Sequence, residues 1–349
     1  MGTPYTKHMN KEDIITTPLT ITTTQTWHRS GSSCPKGTIP LRVGQTKRNQ
    51  VENRSTRKKK PPIHYHHHHK LNENDEDDKF LLLHPNRSLA MLHTEGMSYL
   101  GAKGDIKVWN PHVEKEDYST SHVTLAGGPY YDYELVQSGW AVNPALYGDT
   151  QTRYFTYWTK PCGGVMTRLD VRQADGSNKT GFFDLSCPGF VQTSHEIALG
   201  AAIYPISSST GLPYEITVFI HQDPYTGNWW LLYGDAIDIG YWPRELFGVL
   251  EQHAETVQWG GEVYSGHLSD RRPHTTTEMG SGDFPEIIFG ASGSVKRMRV
   301  LGNSLDLTVP DWAYPYADEY KCYDSYYLTD YVPEPEFYYG GPGRCPICP

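Results

Sequence analysis

The chain has 349 residues and sets one acid, Glu262, inside "VQWGGEVYSG", residues 257–266, between glycines and a run of β-branched and aromatic residues. A carboxylate there can take a proton from water or return one to a leaving group, and neighbouring glycines let another chain approach closely. A lone Glu on a strand is ordinarily part of a solvated sheet face. Chemistry therefore requires a second group converging on it. The other residues of reactive type are Cys34, Cys162, Cys187, Cys322, Cys345 and Cys348, and the histidine run in "IHYHHHHK". Cys345 and Cys348 form a terminal CxxC with no second pair, and no Cys or carboxylate is interleaved with the histidines. That spacing fits no zinc template, so no metal and no cofactor are expected. Disulfides are the expected use of the cysteines, and N-x-S/T triplets at Asn53, Asn86 and Asn178 agree with glycosylation on a secretory route.

The elements that would position Glu262 are strands. The composition, with Gly 33, Pro 25 and Tyr 25, favours many short strands joined by turns. "ELVQSGWAV", "RYFTYWT", "EITVFIHQD", "NWWLLYGD", "TVQWGGEVY" and "GSVKRMRVLG" are β-branched and aromatic runs, separated by turn signals such as "DPYTGN" and "SGDFPE". In "WPRELFGVLEQHAE", residues 242–255, Pro243 near the start and Leu246, Phe247 and Leu250 at helical spacing predict one short helix. The expected fold is all-β: an antiparallel β-sandwich of two packed sheets, one short helix and a partly disordered N-terminal segment. Trp140, Trp158, Trp229, Trp230, Trp242 and Trp259 alternate with smaller residues, which points to core packing ahead of sugar stacking. His221, His267 and His274 are read as loop residues satisfied by solvent, with a place beside a cleft as the alternative.

Between residues 42 and 60 stand eight basic residues, followed by the histidines and by the acidic "NENDEDD" at 72–78. Such a stretch buries little apolar surface and reads as an exposed connector. It divides the chain into an appendage, 1–87, and a body, 88–349. The net charge of −9 argues against a nucleic-acid or anionic-membrane surface, and no apolar run approaches the roughly 20 residues that span a bilayer. The opening "MGTPYTKHMNKEDIITT" has no segment of signal-peptide type, so either the protein is not secreted or the sequence begins downstream of its start. A sandwich of this size can stand alone as a monomer.

Nine blocks in order, "SCPKGTIPLR", "GAKGDIKVWNPHVE", "SGWAVNPALYGD", "CPGFVQ", "GNWWL", "GYWP", "WGGEV", "MGSGDFPE" and "YGGPGRCPICP", resemble the plant neprosin family of glutamic peptidases. The resemblance implies a secreted precursor with an activation peptide, a β-sandwich catalytic domain, and an endopeptidase that cuts after proline in acid. Its partners would be proline-containing peptides or proteins and its own pro-segment. "CPKGTIPLR" matches the end of the activation peptide, so 1–87 would be a partial activation peptide with linker, and 88–349 the catalytic domain.

The family's dyad resembles two glutamates, in Glu-Ala-Gly-Trp and Gly-Gly-Glu blocks. The second is Glu262; the first falls on Gln137, immediately before "SGW". Strand alternation turns Glu134 to the opposite face, while Gln137, Gly139 and Ala141 share one face and Gln258, Gly260, Glu262 and Tyr264 share another. A neutral amide cannot act as acid or base. The similar fungal glutamic peptidases, however, use a Gln and Glu pair, with Glu as base and Gln as oxyanion donor. Glu278, in "TTTEMGSG", stands where the family commonly has Gln and is a candidate for a relocated carboxylate. Trp140, Tyr157, Gln192, Tyr214 and Trp259 are candidate substrate contacts. Phe182 replaces a family cysteine, so Cys187 is expected to pair with Cys162 from a lengthened segment, and Cys322 with Cys348 as in the family; Cys345 and Cys34 are left over. Two alternatives stand beside the peptidase. One is a catalytically lapsed relative binding proline-rich or cell-wall polypeptides, and the other a glycoside hydrolase with two carboxylates about 5 to 10 Å apart.

Overall fold

The computed structural model describes residues 21–31, 34–35, 37–42, 86–129, 133–159, 181–269, 271–286 and 290–349. The basic and histidine stretches, Asn53, Asn178 and Cys162 lie outside them. The strands are β1 Ile21–Thr22, β2 Thr24–Gln25, β3 Arg87–Tyr99, β4 Gly101–Lys107, β5 Tyr118–Gly127, β6 Glu134–Val142 and β7 Arg153–Thr159. Next come β8 Gly181–Phe183, β9 Val191–Gln192, β10 Ile203–Tyr204, β11 Tyr214–Gln222, β12 Trp229–Tyr233 and β13 Ile237–Trp242. The series ends with β14 Ala254–Tyr264, β15 Gly293–Leu301, β16 Leu307–Thr308, β17 Tyr314–Ala317, β18 Asp324–Leu328 and β19 Glu336–Gly340.

One sheet has seven strands in the order β17-β3-β14-β5-β6-β7-β8. A second has ten, along β18-β19-β15-β4-β11-β12-β13-β9, with β1 beside β11 and β16 beside β15, and β10 pairs with β2 in a small third sheet. All pairings are antiparallel except β1 with β11. The fold is thus the expected β-sandwich.

Alternation decides which residues make the core between the sheets. On β14, Val257, Trp259 and Val263 point inward, as do Val136, Trp140 and Val142 on β6. The indole of Trp140 donates to the Lys107 carbonyl and that of Trp259 to the Lys103 carbonyl, each at 3.0 Å, so both reach from the seven-stranded sheet to β4 of the other. Both are fully buried. Their expected role as substrate contacts is therefore corrected: each sits three residues from a cleft side chain and so on the opposite face.

The helix predicted over 242–255 is reduced to a 3-10 turn at Arg244–Leu246, and the one α-helix among the described residues is α1, Pro144–Tyr147, capped by the Asn143 side chain on the Leu146 N–H. The cause is tertiary competition for the backbone. The Glu134 carboxylate accepts from the N–H groups of Gly248, Val249 and Leu250. Trp229 and Gln222 side chains donate to the carbonyls of Leu250 and Glu251. Groups that a helix would pair internally are satisfied from outside, and Gly248 lowers the helical propensity further.

Cys322 and Cys348 form the expected bridge, closing 26 residues of chain. Cys187 is also disulfide-bonded, and its expected partner Cys162 is outside the described residues. Cys34 and Cys345 are free thiols. A loop of that length predicts that Cys348→Ser lowers stability by about 3 kcal/mol, read as a shift of the urea midpoint against the oxidised parent.

Candidate active site

Cross-strand register turns the outward face of the seven-stranded sheet into rows. The first row runs Leu89, Glu262, Thr120, Ala141, Arg153 across β3, β14, β5, β6 and β7. Beside it lies Met91, Gly260, His122, Gly139, Phe155, and then His93, Gln258, Thr124, Gln137, Tyr157. The middle row is a trough. A Cβ at Gly260 would lie 2.3 Å from the Ala90 carbonyl oxygen, and one at Gly139 would lie 1.9 Å from that of Ser121. Only glycine permits these backbone approaches.

Glu262 stands on one wall of the trough and Gln137 on the other, two strands apart and offset by four residues along β5. A small cavity of about 20 Å³, room for about one water, is lined by both, with Arg87, His122, Thr124 and Gln258. Gln137 is 3% and Glu262 4% exposed. The Tyr118 hydroxyl donates to Glu262 Oε1 at 2.7 Å, and Arg87 Nη1 lies 3.5 Å from the same oxygen. Burial above all drives the Tyr118 phenol well above its ordinary range, so it remains a donor. Arg87 Nη2 donates to the Tyr157 hydroxyl at 3.0 Å. That contact reaches from β3 to β7 and arches over the three strands between them. Thr124 donates to Gln137 Oε1 at 3.3 Å, which leaves the amide nitrogen of Gln137 with no partner among the described residues. Removing the Tyr118 donor leaves a buried carboxylate short of a hydrogen bond. Tyr118→Phe is expected to cost about 1–3 kcal/mol of stability, measured by urea unfolding.

Tyr157, expected from the sequence, lies beside Gln137 in register and accepts from Arg87, but is not among the residues lining the cavity. The other expected contacts lie elsewhere. Gln192 donates to the carbonyls of Pro40 and Ile197 and so holds the N-terminal segment. Tyr214 pairs with Ile21 on β11. Glu278 accepts from the His112 N–H at 2.7 Å and is not among the residues lining the cavity. His221 is buried against Phe219, His274 lies 3.4 Å from Glu319, and His267 is exposed. Arg87, Tyr118, His122 and Thr124 were missed by sequence reasoning. The signal that could have found three of them is the alternation Tyr118, Thr120, His122, Thr124 in "YSTSHVTLAG", one continuous face of hydrogen-bonding side chains on a buried strand.

Beyond β7 a second polar group borders this face. Asp184 accepts from the Thr156 N–H and the Tyr147 hydroxyl, and Arg42 of the N-terminal segment donates to the Tyr147 carbonyl. Burial raises the Asp184 carboxyl to about 7, against the pull of those hydrogen bonds and of Arg42 and Arg153. A carboxyl with a raised folded-state value favours folding below its unfolded value near 4 and loses that contribution as pH rises through about 7. Asp184→Asn is therefore expected to gain stability over the parent at pH 8 and not at pH 4, measured by thermal unfolding at both.

The neprosin family model matches residues 115–342. Among solved structures, scytalido-glutamic peptidase with a peptide-based transition-state analogue is similar at 11% identity and a TM-score of 0.37, over 73% of this chain and 97% of that one. SCP-B, a member of the eqolisin family of peptidases in complex with the tripeptide Ala-Ile-His, is similar at 10% identity and a TM-score of 0.37, over 73% of this chain and 97% of that chain. The chain belongs to the neprosin family. No helix among the described residues is long and apolar enough to cross a membrane.

Proposed function

We propose that the chain is a secreted glutamic-type endopeptidase that hydrolyses proline-containing peptides in acid, with Glu262 as general base and Gln137 as oxyanion donor. The observation that carries this reading is one cavity touching both side chains, with the Glu262 carboxylate oriented by Tyr118 and Arg87. Glu262 takes a proton from water as the water oxygen bonds to the scissile carbonyl carbon. The carbonyl electron pair moves to oxygen, where the Gln137 N–H donates. The tetrahedral intermediate then collapses: the carbonyl re-forms, the C–N bond breaks, and Glu262 returns its proton to the leaving amine.

Stability in acid is supported by Asp318, raised chiefly by burial to about 6, and by Glu215, raised chiefly by burial to about 7; neither lines the cavity, and both favour folding in the neutral form that they enter as pH falls. The role of residues 1–87 as an activation segment is supported by its contacts with the body. Gln25 makes two hydrogen bonds to the Ala198 backbone, and the Tyr233 hydroxyl donates to the Thr23 carbonyl. Asn86, the one sequon asparagine among the described residues, is half-buried and accepts from Arg271. Cleavage of a quenched proline-containing peptide at acid pH, abolished by Glu262→Gln, tests the reading. A catalytically lapsed protein that binds such peptides is the second reading, favoured by the neutral Gln137 and the Arg87–Tyr157 contact over the trough. Binding without cleavage in the same assay would establish it.

A further inference from the structure

The midpoint of the trough is occupied by a histidine. His122 faces Gly139 on β6 and Gly260 on β14, so Gln137 and Glu262 are its diagonal neighbours, each about 7–8 Å away between side-chain origins. It is 1% exposed and lines the same cavity. Thr120 Oγ1 lies 3.1 Å from His122 Nδ1. With the hydroxyl donating, Nδ1 is the acceptor and the ring proton sits on Nε2. Nε2 has no partner among the described residues. Phe155 packs edge-on against the ring and offers it no polar group.

We propose that His122 is a third catalytic group, a neutral imidazole whose Nε2–H donates to the oxyanion beside the Gln137 amide. The inference rests on the peptidase reading and deepens it: where the family places a second carboxyl, this chain has an amide and a buried imidazole. Neutrality is what the surroundings produce. Burial holds the imidazole down to about 4, helped by Arg87 on β3 and opposed by Glu262 on β14. Gln137 on β6 adds no charge. The His122 proton stays on nitrogen throughout, so proton balance is unchanged: water's proton goes to Glu262 and then to the leaving amine.

Two measurements decide it. The first compares kcat and KM of the parent with His122→Phe, His122→Gln and Glu262→Gln on the peptide at pH 5. His122→Phe keeps the ring and removes the donor, and kcat is expected to fall about 10²-fold or more with KM little changed, with His122→Gln intermediate. The second records the imidazole nitrogen resonances of the parent by NMR. The Nε2–H tautomer is expected; Nδ1–H would overturn the proposal, even if His122→Phe does not fold. A folded His122→Phe protein with the parental kcat, in a parent that depends on Glu262, overturns this inference alone. A parent that cleaves nothing overturns the peptidase reading and this inference with it.

Discussion

Glu262→Gln is expected to lower kcat about 10³-fold while leaving the fold intact, because it removes the carboxylate that takes the proton from water. The substitution is close to isosteric. Tyr118 can still donate to the remaining amide oxygen, and Arg87 loses only a charge partner 3.5 Å away. A purely structural role would show as lost stability with proportionate loss of activity. A catalytic role shows as lost kcat at an unchanged unfolding midpoint. Retention of more than a tenth of the parental kcat would remove Glu262 from the role of base. The lapsed-enzyme reading would be discarded as soon as the parent's activity was seen to depend on this residue.

Gln137→Ala is expected to lower kcat about 10²–10³-fold with little change in KM, as for loss of one oxyanion donor. Gln137→Glu is the more informative variant. The new carboxyl donates only when protonated, so activity should be present in acid and fall as pH rises through its titration, whereas the parent amide donates at every pH. A pH–rate profile that is the same for parent and Gln137→Glu would show that position 137 does not touch the developing charge. If Gln137→Glu is active where the parent is not, the family's second carboxyl is indispensable and this chain is a lapsed member.

Much of the fold was legible because strands announce themselves by alternation and turns by Gly, Pro and Asp. The same parity placed Gln137 and Glu262 on cleft faces and, applied to Trp140 and Trp259, would have sent both indoles to the core. The helix over 242–255 failed for a reason no local pattern holds. Its backbone groups are claimed by Glu134, Gln222 and Trp229, from 21 to 116 residues away in sequence. By itself the sequence determined the chemistry available, one carboxylate and one amide in glycine-rich strands, because residue type and period are local properties. Only the tertiary structure decided what meets them, since strand order is set by long-range pairing. β5 enters between β6 and β14 and carries His122 into the gap, and β3 brings Arg87 to Glu262 from 175 residues earlier in the chain.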